Sequence, residues 1–245
     1  MKRMGAWGVV KAVVAILVAW QLLAMALRIP FIPTPIEVLV NIYRIFFSKL
    51  ALHMLVSLGR IVAGLALSIL IGVPIGLLMG WSVSWNKRLS PLVYLTYPVP
   101  KIALLPLVML IFGLGELSKI FMILMIVVFQ IIVSMRDAVS DIPKEAFYSM
   151  TSLGARRRET FCMVVFPASM PALLSSVRVS LGTALSVLFF TETFGTRYGL
   201  GYFIMDAWMR VNYADMFSGI LILSALGLLL FGLVDMLERR LCRWR

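Results

Sequence analysis

Asp141-Ile142-Pro143-Lys144-Glu145-Ala146-Phe147-Tyr148-Ser149-Met150-Thr151-Ser152-Leu153-Gly154-Ala155-Arg156-Arg157-Arg158 interrupts a chain that is otherwise lipid-soluble. It lies in a polar island from Asp137 to Pro171 that closes on Phe166-Pro167 and Pro171. Pro143 can open a helix, because its missing N–H falls among the donors that a first turn leaves unpaired, and Gly154 can end one by turning left-handed. About three turns of helix fit between them. A helix that short is marginal in water on its own. It is therefore held by the membrane domain behind it, by a partner in front of it, or by both, and the island reads as a docking surface.

Around the island, 62% of the 245 residues are hydrophobic and 14% charged, where a soluble domain carries about a quarter. Mean hydropathy is +1.00, so the bilayer is the solvent. Apolar runs of about 20 residues cross it as helices. Six are present: Trp7 to Leu27, His53 to Gly80, Pro91 to Phe112, Leu117 to Met135, Ala168 to Thr191 and Met216 to Val234. The expected fold is an all-α integral membrane protein with about six transmembrane helices. We divide it into residues 1–53, a first span plus an external amphipathic helix, and residues 54–245, a five-helix core that contains the cytoplasmic loop 137–171.

The net charge of +12 follows this topology. If the first helix starts inside, Lys2, Arg3, Lys11, Lys87, Arg88, Arg136, Lys144, the Arg156–Arg158 cluster and Arg239, Arg240, Arg243 and Arg245 share one side. Arg28, Arg44, Lys49, Lys119, Arg197 and Arg210 take the other. Positive residues gather in cytoplasmic loops, which places both termini and the island in the cytoplasm and removes the need for a nucleic-acid partner. Cys162 and Cys242 then lie where thiols stay reduced, so no disulfide framework is expected. Met1 to Lys11 with the apolar run and Ala24-Met25-Ala26 also fits a leader with a small-x-small cleavage site. Cleavage would remove one helix without reversing the other five.

Thr34-Pro35-Ile36-Glu37 is a capping box with proline at the first helical position, so a helix begins there. Glu37, Asn41, Arg44 and Ser48 share one face of it, and Ile36, Leu39, Val40, Tyr43 and Phe47 the other. The helix either lies on the outer membrane surface or packs on the bundle as a connector. In the next span, Gly64, Ser68, Gly72, Gly76 and Gly80 recur at every fourth position and form a close-packing face for another helix; Pro74 predicts a kink. Pro98, Pro100 and Pro106 crowd the third span with Lys101. Backbone groups freed by proline at membrane depth need cover from protein or a water-filled cavity, so this span is expected to be irregular and to line something. Lys101 either faces a pathway or reaches an interface or a carboxylate. Arg60 reads as structural, near the outer interface. Arg178 and Glu192 stand fourteen residues apart, on one helix face but about 21 Å from each other. Each needs a partner on another helix or a hydrated cavity, and Glu192 has the further option of capping the glycine-rich loop Gly195 to Gly201.

No enzyme constellation is present. His53 is the only histidine, no CxxC or G-x-S-x-G occurs, and no lysine follows a glycine, which excludes a phosphate-binding P-loop and any metal site of the HExxH kind. An energised transporter built on this chain needs its ATPase from elsewhere. The other classes compatible with these features are an ATP-independent secondary transporter or channel, for which no internal duplication is visible, and a non-transporting scaffold.

Ser57-Leu58-Gly59-Arg60-Ile61-Val62-Ala63-Gly64, Gly72-Val73-Pro74-Ile75-Gly76, Pro98 to Pro106, Phe112 to Lys119, Thr191-Glu192 and Gly199-Leu200-Gly201-Tyr202 together resemble the permease subunit of type I ABC importers, in the nitrate/sulfonate/taurine branch. The likeness runs over nearly the whole chain. It implies the MetI-like permease fold and a two-fold dimer, or a heterodimer with a homologue. It also implies two cytoplasmic ATPases, an extracytoplasmic binding protein and a prokaryotic inner membrane. ATP and Mg2+ would be used by the ATPase and no cofactor held by this chain. The coupling surface would be Glu145, Ala146, Phe147, Tyr148, Met150, Leu153, Gly154, Ala155 and Arg156, with Phe147, Met150 and Leu153 as apolar anchors. The family loop starts glutamate-alanine-alanine, with glycine six residues later and leucine-proline thirteen beyond that. Gly154 and Pro167 keep the second spacing, but Tyr148-Ser149-Met150 stands at the start position and Glu145-Ala146 comes three residues early. The path would be lined by Pro98, Pro100, Lys101, Arg178 and Glu192. The branch carries nitrate, bicarbonate, alkyl sulfonates and taurine, with relatives for neutral heterocycles, and Lys101 and Arg178 favour an anion.

Overall fold

In the computed structural model, which describes residues 6–27, 29 and 31–242, the regular elements are all helical. Lys2, Arg3, Arg28, Arg243 and Arg245, used above for topology, lie outside those residues. The axis of the molecule is the pair α3 (Ala51–Trp81) and α6 (Glu116–Ser140). In lipid neither helix gains from hiding apolar surface from water, so contact depends on how closely the backbones approach. The small-residue face of α3 provides that approach. A Cβ on Gly64 would stand 2.6 Å from Ile123 Cγ2, one on Gly76 2.6 Å from the Ile132 carbonyl oxygen, and one on Gly80 2.8 Å from the Arg136 carbonyl oxygen. Gly72 meets Ile131 in the same way, and buried Ser68 folds its hydroxyl back onto the Gly64 carbonyl at 2.7 Å. The helix passes Pro74 and continues to Trp81.

α2 (Pro35–Ile45) opens on the expected capping box: the Thr34 N–H donates to Glu37 Oε2 at 2.9 Å and the Glu37 N–H to Thr34 Oγ1 at 3.3 Å. A π-helical turn, Phe46–Leu50, joins it to α3, so Pro35–Trp81 is one helical run of 47 residues. Of the polar edge of α2 only Asn41 turns inward; Glu37, Arg44 and Ser48 are exposed. Asn41 donates to Asp215 Oδ1 at 2.8 Å and to Ser218 Oγ at 3.0 Å on α11 (Tyr213–Leu241), while Tyr43 and Phe47 are 87% and 91% exposed. Of the two sequence readings, the structure has the connector packed on the bundle, with its apolar stripe turned outward.

The third span is broken. α4 (Val83–Thr96) and the helical piece Lys101–Phe112, which comprises a 3-10 turn and α5 (Leu105–Phe112), meet at 76° across Pro98 and Pro100. After α6 come the short helices α7 (Lys144–Ser152) and α8 (Arg157–Thr160), then α9 (Phe166–Glu192), α10 (Leu200–Met209) and α11. α9 packs on α6, and α11 on α9, α10 and α2. Among the described residues four helical runs are long and apolar enough to cross a membrane, or five with the bent pair. α1 (Ala6–Leu27) adds an apolar helix of 22 residues, so five of the expected spans coincide with a helix and the third with the bent pair.

The glycine contacts yield a paired test. Gly76→Ala, which must displace the α6 backbone, is expected to cost about 1–3 kcal/mol, the range for overpacking. Gly59→Ala, with nothing within 4 Å of the added methyl, is expected to be neutral or slightly stabilising. Thermal unfolding of the purified variants in one detergent checks both, and equal melting points would refute the close-contact account.

Candidate functional site

Helix α7 is closed at both ends by its own sequence. Pro143 precedes it at φ −58°. At the other end Gly154 takes φ +70°, with its N–H on the Thr151 carbonyl and the Ala155 N–H on the Met150 carbonyl, both at 3.0 Å. This doubled closure satisfies carbonyls that the last turn leaves free, and it needs a left-handed residue at Gly154. The next turn starts where the Arg156 N–H donates to Glu159 Oε2 at 2.6 Å.

A nine-residue helix must pack on something to stay docked, and α7 sets half-buried Ala146 and Phe147 against the core of the bundle. The Phe147 ring centre lies 5.9 Å from that of Trp81 at the end of α3, and Phe161 meets Trp81 at 6.1 Å. Phe147, half-buried, thus anchors the helix to its own bundle through part of its ring. Met150 is half-buried as well. The face left outward is Glu145, Tyr148 at 65% exposure and Leu153 at 81%, followed by Arg156, Arg157 and Arg158.

At the break in the third span, the Thr96 carbonyl lacks its usual helical donor, because residue 100 is a proline. The Val99 N–H reaches that carbonyl at 3.3 Å, and Lys101 adds a second, closer donor. Its Nζ donates to the Thr96 carbonyl at 3.0 Å and the Tyr97 carbonyl at 3.2 Å, and sits 4.8 Å from the Phe129 ring centre. The side chain is buried, so it neither reaches an interface nor meets a carboxylate. Pro98, beside it, lines a half-open cleft of about 740 Å³ whose other walls include Lys87, Tyr94, Tyr97, Val133 and Arg136.

Glu192 and Arg178 are not brought to this cleft. Glu192 is fully buried at the outer end of the bundle, where it accepts from Ser57 Oγ at 2.8 Å, Arg60 Nη1 at 2.7 Å and the Gly201 N–H at 2.8 Å. Arg60 also donates to the Tyr198 carbonyl at 2.8 Å and from Nε to Glu116 Oε2 at 2.6 Å. One guanidinium thus ties together α3, α6, the end of α9 and the loop that follows. Ser57 Oγ accepts the Leu200 N–H at 2.8 Å and His53 Nδ1 the Gly199 N–H at 3.0 Å, which fixes the start of α10. Gly199 has φ +127°, and any Cβ there would strike the Glu192 carboxylate. Arg178 pairs with Asp235 and Glu238 of α11. The five residues assigned to one path therefore occupy three places, and Arg178 and Glu192 each take a partner on another helix, the first of the two alternatives left open by the sequence.

Sequence reasoning passed over Glu116, Ser57 and Lys119 as site residues. Lys119 is fully buried, with Nζ on the Leu114 carbonyl at 2.6 Å and the Gly115 carbonyl at 3.0 Å. The available signal was spacing: Ser57 and Arg60, and Glu116 and Lys119, each stand one turn apart at a span end and can share a face.

Residues 72–243 match the family described as binding-protein-dependent transport system inner membrane component. The chain belongs to this family. The permease is 31% identical to the taurine transport system permease protein of Escherichia coli (strain K12), over 94% of this chain and 86% of that one. It is also 31% identical to the formylaminopyrimidine transport permease protein of Halalkalibacterium halodurans, over 94% and 92%. Identity to the nitrate import permease protein of Synechocystis sp. is 24%, over 93% and 86%. The fold matches the MetNI methionine ABC transporter in an inward-facing conformation, with a TM-score of 0.69 at 20% identity, covering 78% of this chain and 95% of that one. The permease is accordingly the multi-pass inner-membrane subunit of an ABC importer.

The outer network carries a double-mutant prediction. Arg60→Met leaves Glu192 sealed without its counter-charge and is expected to cost the permease about 3–5 kcal/mol. Arg60→Met with Glu192→Met is expected to regain more than half of that. Unfolding of the single and double variants in detergent measures the cycle, and additive losses would disprove the coupling.

Proposed function

We propose that two copies of this permease, or one copy with a homologue, sit on two cytoplasmic ATPases through α7 and pass inward a small anion delivered by an extracytoplasmic binding protein. The observation that carries this reading is the division of α7 into two faces. Phe147 secures it to Trp81, and the side chains of Glu145, Tyr148 and Leu153 are left outward without a partner among the described residues. Apolar and aromatic anchors inside a charged rim suit a protein interface, with the arginines tuning encounter and register. The ATPases would use ATP and Mg2+, and their closure would drive the permease between inward- and outward-facing states. Tyr148 occupies the position of the family glutamate, and Glu145, one turn earlier on the same face, is placed to reach the same partner groups.

The anion reading draws on the taurine and nitrate relatives and on the basic residues of the cleft, Lys87 and Arg136, near the Lys101 break. The formylaminopyrimidine relative, equally identical at 31%, supports a neutral heterocycle as the second reading. Uptake of radiolabelled taurine, nitrate and formylaminopyrimidine by cells with and without the permease separates the two.

Tyr148→Asp with Leu153→Asp is expected to leave the permease folded and in the membrane while abolishing co-purification of a P-loop ATPase and reducing uptake at least tenfold, since interface anchors each carry about 2 kcal/mol or more. Phe147→Asp is expected to lower thermal stability as well. Retention of the ATPase by the Tyr148/Leu153 variant would refute the docking face.

A further inference from the structure

Lys87, Ser90, Tyr94, Tyr97 and Lys101 follow one another at intervals of three, four, three and four residues, which places them on one helical face of α4 and its continuation into the break. Four of them line the cleft, together with Arg136 of α6, and Lys101 holds the carbonyls at its far end. Tyr94 is 80% exposed and Tyr97 53%. Neither hydroxyl has a partner among the described residues, and the same is true of the Lys87 ammonium. Ser90 spends its O–H on Asn86 Oδ1 at 2.7 Å, and Arg136 pairs with Asp137 at 2.7 Å. A stripe of unpaired donors along a membrane helix cannot face hydrocarbon, where each unsatisfied group costs several kcal/mol. This face therefore looks onto water.

The available groups on it are donors, two phenolic and one ammonium, with a second cation, Arg136, opposite, which is paired with Asp137. The cleft has the size of a small-molecule site. We propose that it is an exit-side anion site, in which Lys87 and Arg136, assisted by the Tyr94 and Tyr97 hydroxyls, hold the sulfonate or oxyanion group of the solute before release into the cytoplasm. This inference rests on the importer reading of the preceding subsection. It adds a consequence: solute accumulated inside refills the site and slows further import. An anionic lipid headgroup offers the same oxygen chemistry. The solute is favoured because the donors continue up α4 as far as Tyr97, whereas a headgroup stays at the membrane surface.

The test uses the whole complex in proteoliposomes of phosphatidylcholine, alone or with phosphatidylglycerol, preloaded inside with increasing amounts of the transported anion. Internal anion is expected to slow wild-type import. Lys87→Gln and Arg136→Gln are each expected to raise the half-inhibitory internal concentration about tenfold or more, as loss of one charged hydrogen bond does, in both lipid mixtures. Arg88→Gln is the control and keeps the wild-type value, because Arg88 lies outside the cleft over the Trp85 ring at 5.7 Å. Absence of inhibition in wild type, or an unchanged half-inhibitory concentration in both cleft variants, overturns the site. An effect confined to phosphatidylglycerol vesicles also overturns it and assigns the cleft to lipid. If wild-type vesicles import no anion, the importer reading for anions falls with it; if import works and the variants do not shift, this inference falls alone.

Discussion

Everything else in the structure hangs on the backbone-to-backbone contact of α3 with α6. Inside a bilayer each helix already satisfies its own hydrogen bonds, so a bundle coheres only where surfaces fit. The fit here is set by glycines whose missing Cβ atoms would overlap the facing helix. Both functional ends grow from this axis. At the outer end, α3 contributes Ser57 and Arg60, which hold Glu192, and α6 contributes Glu116 to the same guanidinium. At the inner end, α3 finishes on Trp81 against Phe147, and α6 on Arg136 beside the cleft.

Two lysines solve a problem created by bending the chain inside a membrane. Lys101 and Lys119 each lay an ammonium across two carbonyls near a break, at Thr96 and Tyr97 and at Leu114 and Gly115. An ammonium has three donors and no acceptor, which suits a place where only carbonyls are left over. The burial of both side chains follows from where those carbonyls are. Lys101 thus serves first as backbone repair for the proline-rich break, and the cleft gains its Tyr94–Tyr97 wall because that break holds its shape.

What the sequence made legible was local. Thr34 and Glu37 announce a helix start by chemistry confined to four residues, Gly154 announces an end, and Pro98 with Pro100 announces a break; each stands where it was read. Long-range partnership was not legible. Arg60 and Glu192 are 132 positions apart, and nothing in either neighbourhood names the other, so the sequence offered Glu192 both a pathway and the nearby glycine-rich loop, whose Gly201 N–H it accepts. The contact of Phe147 with Trp81 was illegible for a related reason. An apolar residue on a short helix is equally fit to face a partner or its own bundle, and only the location of Trp81 decides.

The join between α3 and α4 connects the two cytoplasmic features. Ser82 alone separates the helices, extended at φ −124° and ψ 115°, so α4 can change its angle to α3 through a single residue. Trp81, the residue before it, carries the contact to Phe147 and α7. Under the proposed assembly, a displacement of α7 by the ATPases bears on Trp81 and hence on the one joint that sets where α4 points. α4 carries Lys87, Tyr94 and Tyr97, so the same displacement moves one wall of the cleft against Arg136 on the rigid α6. ATP-driven closure and release of the anion would then be one motion seen at the two ends of α4, with the glycine-packed axis as the fixed frame it works against.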